Sequence, residues 1–478
     1  MNIEAHPQRE LSALLPQRFG NWFAERGWLP RPHQLELLAR AQDGHSALLI
    51  APTGAGKTLA GFLPTLVDLE ARPRRRPGQA HGGIHTLYIS PLKALAVDFE
   101  RNLAKPVGEI GLDIVLETRT GDTPAHKRQR QKLVPPDILL TTPEQLALLI
   151  ASSDAQRFFA DLRYVVLDEL HSLVTSKRGH LLALGLARLR SLVPGLQAIG
   201  LSATVSDPDE LRRWLVSQDR PGAMADLITV SGGARPEITI LDSEEHVPWS
   251  GHSARYAVPE IYEAVRKHRT TLLFVNTRSQ AEFLFQELWR VNEDNLPIAL
   301  HHGSLDVGQR RRVEKAMETN SLRAIVATST LDLGIDWGDV DLVIHVGAPK
   351  GASRLAQRIG RSNHRMDEPS RAILVPANRF EVLECRAPLE ANYLGAQDTP
   401  PLASGALDVL AQHVLGSACG APFDADLLYA EIRTAAPYAD LDRQTFDRVV
   451  DFVATGGYAL RAYERYARIR RRKDGLWR

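Results

Sequence analysis

Ala51-Pro-Thr-Gly-Ala-Gly-Lys-Thr58 stands between an apolar run, Ser46–Ala51 (SALLIA), and an amphipathic stretch, Leu59–Leu69. A strand that ends on a glycine-rich turn and passes directly into a helix is the context that a phosphate-binding loop requires. Gly54 and Gly56 allow backbone N–H groups to wrap phosphate oxygens, with Thr53 and Ala55 completing the turn, and the helix N-terminus adds partial positive charge. Lys57 is placed to reach the β- and γ-phosphates, and Thr58 to set its hydroxyl on Mg2+. Ala51 stands where the strict pattern has its first Gly, which leaves the tight part of the loop intact.

Outward from this loop the same rhythm recurs. Thr86–Ser90, Ile138–Thr141, Tyr164–Asp168 and Gln197–Ser202 are short, β-rich apolar runs with helical stretches such as Leu181–Leu192 between them. Unbroken apolar runs of this length are strands of a parallel sheet covered on both faces. The alternation predicts a doubly wound α/β domain over residues 1–225. Residues 226–255 lose the periodicity and gain Gly and Pro, so they read as a connection with one strand at Glu237–Leu241. The rhythm restarts at Thr271–Asn276 and continues through Pro297–His301, Ala324–Thr328, Leu342–Val346 and Ala372–Pro376, a second α/β domain over 256–395. Past Pro400-Pro401 the pattern turns helical (Leu407–Leu415, Ala425–Arg433, Gln444–Ala454). Residues 396–478 are expected to form a small, mainly helical module of winged-helix type, truncated relative to a longer protein.

The 478 residues carry a formal charge of +1, so total charge does not announce a polyanion-binding protein. Distribution matters more than the sum. Basic clusters occur at Arg72–Arg76, Lys127–Lys132, Arg310–Arg312 and Arg468–Lys473, each of which alone reads as a solvated surface. Two distant cysteines, Cys385 and Cys419, argue against a disulfide framework or a cysteine zinc site. There is no apolar signal core near the start and no membrane-length apolar run, so a cytoplasmic location without membrane association is expected.

A second set of candidate ligands is Asp168-Glu-Leu-His171, at the end of the strand Tyr164–Leu167. Two acids there lie at the carboxyl edge of a parallel sheet, where ligands bind. Alone they read as a polar strand end; beside a phosphate loop, Asp168 becomes a Mg2+ ligand and Glu169 the residue that orients or deprotonates an attacking water.

With Ser202-Ala-Thr204 downstream, these motifs in this order resemble the first motor domain of the DExH-box helicases, and the resemblance runs over nearly the whole chain. It implies two tandem RecA-like domains with ATP and Mg2+ in the cleft between them. Trp28-Leu-Pro-Arg-Pro-His-Gln34 resembles the adenine-recognising segment, with Arg31 and Gln34 as nucleotide contacts. Ala327–Asp336, with Gly334 and Asp336, and Gln357-Arg-Ile-Gly-Arg361 resemble the motifs that the second domain brings to the cleft. By that likeness Arg361 is the arginine finger, Gln357 and Arg358 belong to the catalytic set, and His171 and Gln357 join the two halves. Many relatives carry a further Arg three residues after the finger; here His364 stands there, and Arg365 is the substitute. The wording of Arg-Pro-His-Gln (31–34), Ser-Pro-Leu-Lys-Ala-Leu (90–95), Thr-Thr-Pro-Glu-Gln-Leu (141–146) and Gln-Arg-Ile-Gly-Arg-Ser-Asn-His (357–364) is similar to the Lhr (large helicase-related) group, and the last segment to its bacterial, ligase-associated DNA-repair branch.

The resemblance also implies a strand of nucleic acid held across both domains. Candidate contacts on the first are Pro91, Lys93 and Ala94, then Thr120, Gly121 and Asp122, then Thr142, Pro143 and Glu144. On the second they are Asn276, Thr277 and Arg278, then His302 and Gly303, then Thr328 and Ser329. Each lies at a strand-to-helix junction, where free N–H groups can meet phosphate oxygens. Single-stranded DNA is the expected partner, with RNA or a hybrid as alternatives, together with DNA-repair proteins, and movement is expected from 3′ to 5′. An RNA-directed DExH ATPase and a non-helicase P-loop remodelling ATPase stay open.

Overall fold

The computed structural model describes residues 14–52, 54–72, 82–91, 103–203, 205, 207–230, 232, 234–251, 253–331, 340–362, 369–396, 398, 402–457, 460 and 463–478. Two parallel sheets organise it. The first comprises β1 (Ala47–Ile50), β2 (Thr86–Ile89), β3 (Leu116–Arg119), β4 (Ile138–Thr141), β5 (Tyr164–Leu167), β6 (Gln197–Ser202) and β7 (Asp226–Thr229), in the order β3-β4-β2-β5-β6-β1-β7. The second comprises β8 (Glu237–Ile240), β9 (Thr271–Val275), β10 (Ile298–His301), β11 (Ala324–Ala327), β12 (Leu342–Val346) and β13 (Arg371–Val375), in the order β10-β11-β9-β12-β13-β8. The connecting segment carries the strand expected at Glu237–Leu241, here β8, and one that was not expected, β7; each is an edge strand, β7 pairing with β1 and β8 with β13.

The central strands are buried throughout because successive side chains enter different cores. Leu48 and Ile50 belong to one cluster, and Ala47 and Leu49 to the cluster on the opposite face. In the second sheet Leu273 and Val275 face one way and Leu272 and Phe274 the other. Helices on both faces are what continuous apolar strands demand. The helix Lys57–Glu70 lies so close to the first sheet that a Cβ on Gly61 would stand 2.9 Å from Leu201 Cδ1. That approach brings the phosphate-loop helix onto the strands it follows.

Among the described residues the C-terminal module has three α-helices, Leu407–Gly420, Ala425–Arg433 and Arg443–Thr455, and a final antiparallel hairpin bridged by Arg471 and Trp477, with Trp477 also paired to Phe423. Although it follows the second domain in sequence, it packs on the first. Val409, Leu410, Val414, Leu428, Ile432, Phe446 and Val450 join one continuous cluster with Leu146, Leu149, Leu182 and Leu186. The seam is also tied by Arg188 to Glu431 (3.0 Å) and Lys177 to Asp408 (2.6 Å).

Candidate nucleotide cleft and strand track

Three adjacent strand ends build the floor of the cleft. β1 runs into the glycine-rich loop, β6 ends at Ser202, and β5 ends at Leu167 just before Asp168, with β6 pairing to both others. Gly54 (φ 78°) and Gly56 (φ 74°) are left-handed, a conformation glycine adopts without steric cost. Three side chains at the start of the helix Pro32–Gln42 and its N-cap grip three consecutive carbonyls of this loop. Arg31 Nη1 donates to Gly54 O (2.9 Å), His33 Nε2 to Ala55 O (2.9 Å) and Gln34 Nε2 to Gly56 O (3.5 Å), while Gln34 Oε1 accepts from the Arg31 N–H (2.9 Å). Burial lowers the His33 pKa, so the ring is a neutral donor. Its part in shaping the loop was not legible in the sequence, where it reads as a helix start.

Lys57 Nζ lies 2.7 Å from Ala51 O and 3.2 Å from Pro52 O. Burial lowers its pKa against the opposing pull of Glu169 and Asp168, and the nearby Arg361 lowers it further. Asp168 accepts from the Tyr88 hydroxyl (2.6 Å) and from the Glu169 N–H (2.9 Å). Burial, then repulsion from Glu169, raises its pKa to about 6. Tyr88 is a further site residue that sequence reasoning missed; only its place on β2, two strands from β6 and next to β5, brings it there. Glu169 occupies a left-handed conformation (φ 49°), a strained choice for a residue with a side chain and one that clusters at working sites. Burial pushes the Glu169 pKa up, but His171, Lys57 and Arg361 outweigh it and hold the carboxyl below its ordinary value.

The second domain reaches this floor from the helix Ala352–Ile359. Gln357 Nε2 lies 2.8 Å from His171 Nε2 across the domain boundary, and the other ring nitrogen, Nδ1, lies 3.0 Å from Ser202 Oγ. Arg361, four residues on and only 5% exposed, acts electrostatically on Lys57, Glu169 and His171. Arg358 is different. One residue from Gln357 is a rotation of about 100°, which turns it away from the first domain. It is buried with its guanidinium 4.8 Å from the Phe274 ring centroid and bonded to His345 Nε2. His345, pushed down to about 3 by burial and by Arg358, is neutral and donates through Nδ1 to Gly347 O (2.7 Å). Thr53, Gly334, Asp336 and Arg365 lie outside the described residues, as do Lys93 and Ala94 of the strand candidates.

The strand candidates follow adjacent strands in both sheets. Pro91, Thr120 and Thr142 come after β2, β3 and β4, which are neighbours in the first sheet. Asn276, His302 and Thr328 come after β9, β10 and β11, neighbours in the second. Gly121, Asp122, Thr277, Arg278, Gly303 and Ser329 are exposed, whereas Thr120, Thr142, Pro143, His302 and Thr328 are buried at the base of their loops. Some of the side chains are already engaged. Asn276 Nδ2 donates to Ala348 O (2.8 Å), and His302 Nε2 lies 3.3 Å from Glu282. Arg178, another residue the sequence did not single out, donates to Pro91 O (2.7 Å) and to both oxygens of Glu144, so it fastens two of the junctions together.

Three family models match in chain order: the DEAD/DEAH box helicase over residues 31–211, the helicase conserved C-terminal domain over 255–366, and the winged helix domain of large helicase-related protein over 396–478. The chain is 36% identical to a Lhr helicase/probable uracil glycosylase of Mycolicibacterium smegmatis, covering 94% of this chain and 32% of that protein. It is 33% identical to an ATP-dependent helicase Lhr-Core of Methanocaldococcus jannaschii, covering 94% of this chain and 54% of that one. The solved structure of Mycobacterium smegmatis helicase Lhr bound to ssDNA and AMP-PNP superposes with a TM-score of 0.83 at 35% identity, over 96% of this chain and 59% of that one. The chain thus spans from about a third to rather more than half of the length of these relatives. Ordered motor-domain models, a matching winged helix and likeness along almost the entire chain agree: this protein belongs to the Lhr-type (large helicase-related) family of DExH-box helicases.

Proposed function

We propose that the chain is an ATP-dependent helicase or translocase that moves on single-stranded DNA. The observation that carries the proposal is the composite cleft, in which Gln357 and Arg361 of one domain meet His171, Glu169 and Lys57 of the other. The donor set fits a magnesium–triphosphate. A left-handed glycine pair turns amides outward, a cradle so tight that a Cβ on Gly56 would stand 3.1 Å from Gln34 Nε2. Among the described residues no cluster of three or more His, Cys, Asp or Glu could hold a metal alone. Mg2+ in phosphoryl transfer needs only one or two protein ligands beside the phosphates, and Thr58 and Asp168 would supply them. The ion would neutralise charge developing on the phosphate oxygens.

In this reading Lys57 binds the β- and γ-phosphates, with Thr53 through Gly56 wrapping them. Glu169, held ionised by its cationic neighbours, orients the attacking water and accepts its proton. Arg361 places its guanidinium on the γ-phosphate only when the domains close, so hydrolysis is tied to closure. Arg365 would assist from the same side, and Gly334 and Asp336 would contact the nucleotide. Arg31 and Gln34 would sense the base while bracing the loop. Arg358 would act by fixing the second domain's helix rather than by touching nucleotide. Because both sheets present loops to one strand, opening and closing become directed steps. Contacts through backbone N–H groups carry little base information, so weak sequence preference with strong salt dependence follows.

Single-stranded DNA as the track is supported by the ligand named for the Mycobacterium smegmatis structure. Movement toward the 5′ end, a role in DNA repair with repair-protein partners, and a cytoplasmic location extend the family reading. Among the described residues no helix is long and apolar enough to cross a membrane. The test is ATP turnover by wild type and Glu169→Gln, with and without single-stranded DNA or RNA. Stimulation by DNA in the wild type and near-complete loss in the variant are expected. Stimulation by RNA alone would select the RNA-directed alternative, and no stimulation by either would select a remodelling ATPase.

A further inference from the structure

The helix Ala352–Ile359, which presents Gln357 to His171 and leads into Arg361, has no cap of its own. Its N-cap residue is Gly351, and no acid stands in its first turn. Elsewhere in the chain Asp306, Asn378, Asp424 and Asp442 each cap the helix that they immediately precede. The first four N–H groups of a helix lack partners within it, and a carboxylate placed there stabilises the first turn. Here the partner comes from 45 residues away: Ser353 N–H donates to Asp398 Oδ1 (2.7 Å). Gly351 has a φ of 107°, a conformation that favours glycine, and a Cβ on it would stand 1.9 Å from Asp398 Oδ2, so only glycine admits the carboxylate. From the other side Asn392 Nδ2 donates to Ala352 O (3.1 Å) and steadies the same turn.

Ser353 and Gln357 are four residues apart, so the capped turn lies directly beneath the residue that meets His171, and Arg361 follows a further four residues on. A start that frays or shifts is carried to both. Asp398 is also held from the first domain. Leu402, four residues later, packs against the core that the first domain shares with the C-terminal module. Ala406 N–H then donates to His180 Nδ1 (3.1 Å) on the first domain's helix Lys177–Leu192. Four residues reach at most about 14 Å. The carboxylate therefore ties the helix Ala352–Ile359 to a short tether whose other end is fixed on the domain that carries the phosphate loop. On the strand side, Asn276 donates to Ala348 O in the segment that enters this helix, and Asn276, Ala348 and Asp398 line one cavity.

We propose that Asp398 is a positioning residue for ATP turnover: it holds the start of the helix Ala352–Ile359 so that Gln357 and Arg361 arrive in register with His171 and Lys57. The inference rests on the composite-cleft reading above and adds a residue, outside the cleft and the track, that acts through this helix. Gln357 and Arg361 are useful only where their donors meet groups fixed on the other domain, and a displacement of about 1 Å in such a constellation is enough to slow the reaction strongly. The bond requires an acceptor at Oδ1 rather than a full charge, since asparagine caps helices as well as aspartate does.

The test measures ATP turnover with single-stranded DNA, and affinity for a fluorescent ATP analogue, for the full chain as wild type, Asp398→Ala and Asp398→Asn. In Asp398→Ala, kcat is expected to fall about tenfold, the effect of one lost charge-assisted hydrogen bond. KM for ATP and analogue affinity are expected to stay within about twofold of wild type, because Lys57 and the loop are untouched. Asp398→Asn is expected to keep kcat within about twofold of wild type, since its side-chain oxygen accepts the same N–H. An Asp398→Ala variant that turns over like wild type would overturn the inference alone. So would a loss that Asp398→Asn shares, or one matched by an equal loss of analogue affinity, which marks a general loosening of the fold. Wild type without any turnover would overturn the composite-cleft reading, and this inference with it.

Discussion

Asp168→Asn should make the protein more stable while abolishing ATP turnover. The Asp168 carboxyl is buried beside Glu169, and its pKa stands at about 6 against an ordinary value of 3.8. Each pKa unit is worth 1.36 kcal/mol, so a shift of about two units means that the ionised form costs the fold about 3 kcal/mol at neutral pH. The sign follows from proton binding. The native state binds the proton more tightly, so the penalty is absent below about pH 4, grows between about pH 4 and 6, and is full above. The asparagine fits the same bonds: its oxygen accepts from the Glu169 N–H, and its amide donates to Tyr88, whose hydroxyl can turn to accept. Some of the gain is shared with Glu169, so about 1–3 kcal/mol is expected, seen as a higher melting temperature at pH 7.5 in the absence of nucleotide and Mg2+. The advantage should fade as the pH is lowered to 4. A variant that melts below wild type at pH 7.5, or an advantage independent of pH, would refute the argument that this carboxylate is held in place for function at the expense of stability.

His33→Ala removes the buried donor to Ala55 O and should weaken nucleotide binding about fivefold to tenfold, the effect of about 1 kcal/mol, in a titration with a fluorescent ATP analogue. Unchanged affinity would show that the loop holds its shape without the ring. Glu431→Ala leaves Arg188 facing the module seam without its partner and should lower stability to urea by about 2–3 kcal/mol, with earlier proteolytic release of the C-terminal module. A variant as stable as wild type would show that the apolar seam alone secures the module.

The sequence discloses what repeats and what alternates. Strands such as Ala47–Ile50 and Thr271–Val275 were legible because burial on both faces writes an unbroken apolar run, and the tight loop at Gly54–Gly56 because few residues other than glycine tolerate its turns. The edge strands Leu116–Arg119 and Asp226–Thr229 were not, because a half-covered edge admits charged residues that resemble a loop. The placement of the C-terminal module was equally invisible. The helix Leu407–Gly420 shows an apolar face, but nothing in it names the first domain rather than the adjacent second one as its partner. Within the site, Gln357, Arg358 and Arg361 share one short motif, and only helix geometry sends Arg358 to His345 while its neighbours face the cleft. Tyr88 and Arg178 act through contacts with residues 80 and 87 positions away, a separation that no local pattern records.

In the proposed mechanism Arg361 serves a nucleotide that is bound on the other domain, and the most direct measurement separates binding from turnover in Arg361→Ala. Nucleotide affinity should change by no more than a few-fold, since Lys57 and the loop remain, whereas DNA-stimulated kcat should fall by about a thousandfold or more. Turnover near the wild-type rate with the guanidinium gone would contradict the composite site and, with it, the coupling of hydrolysis to domain closure.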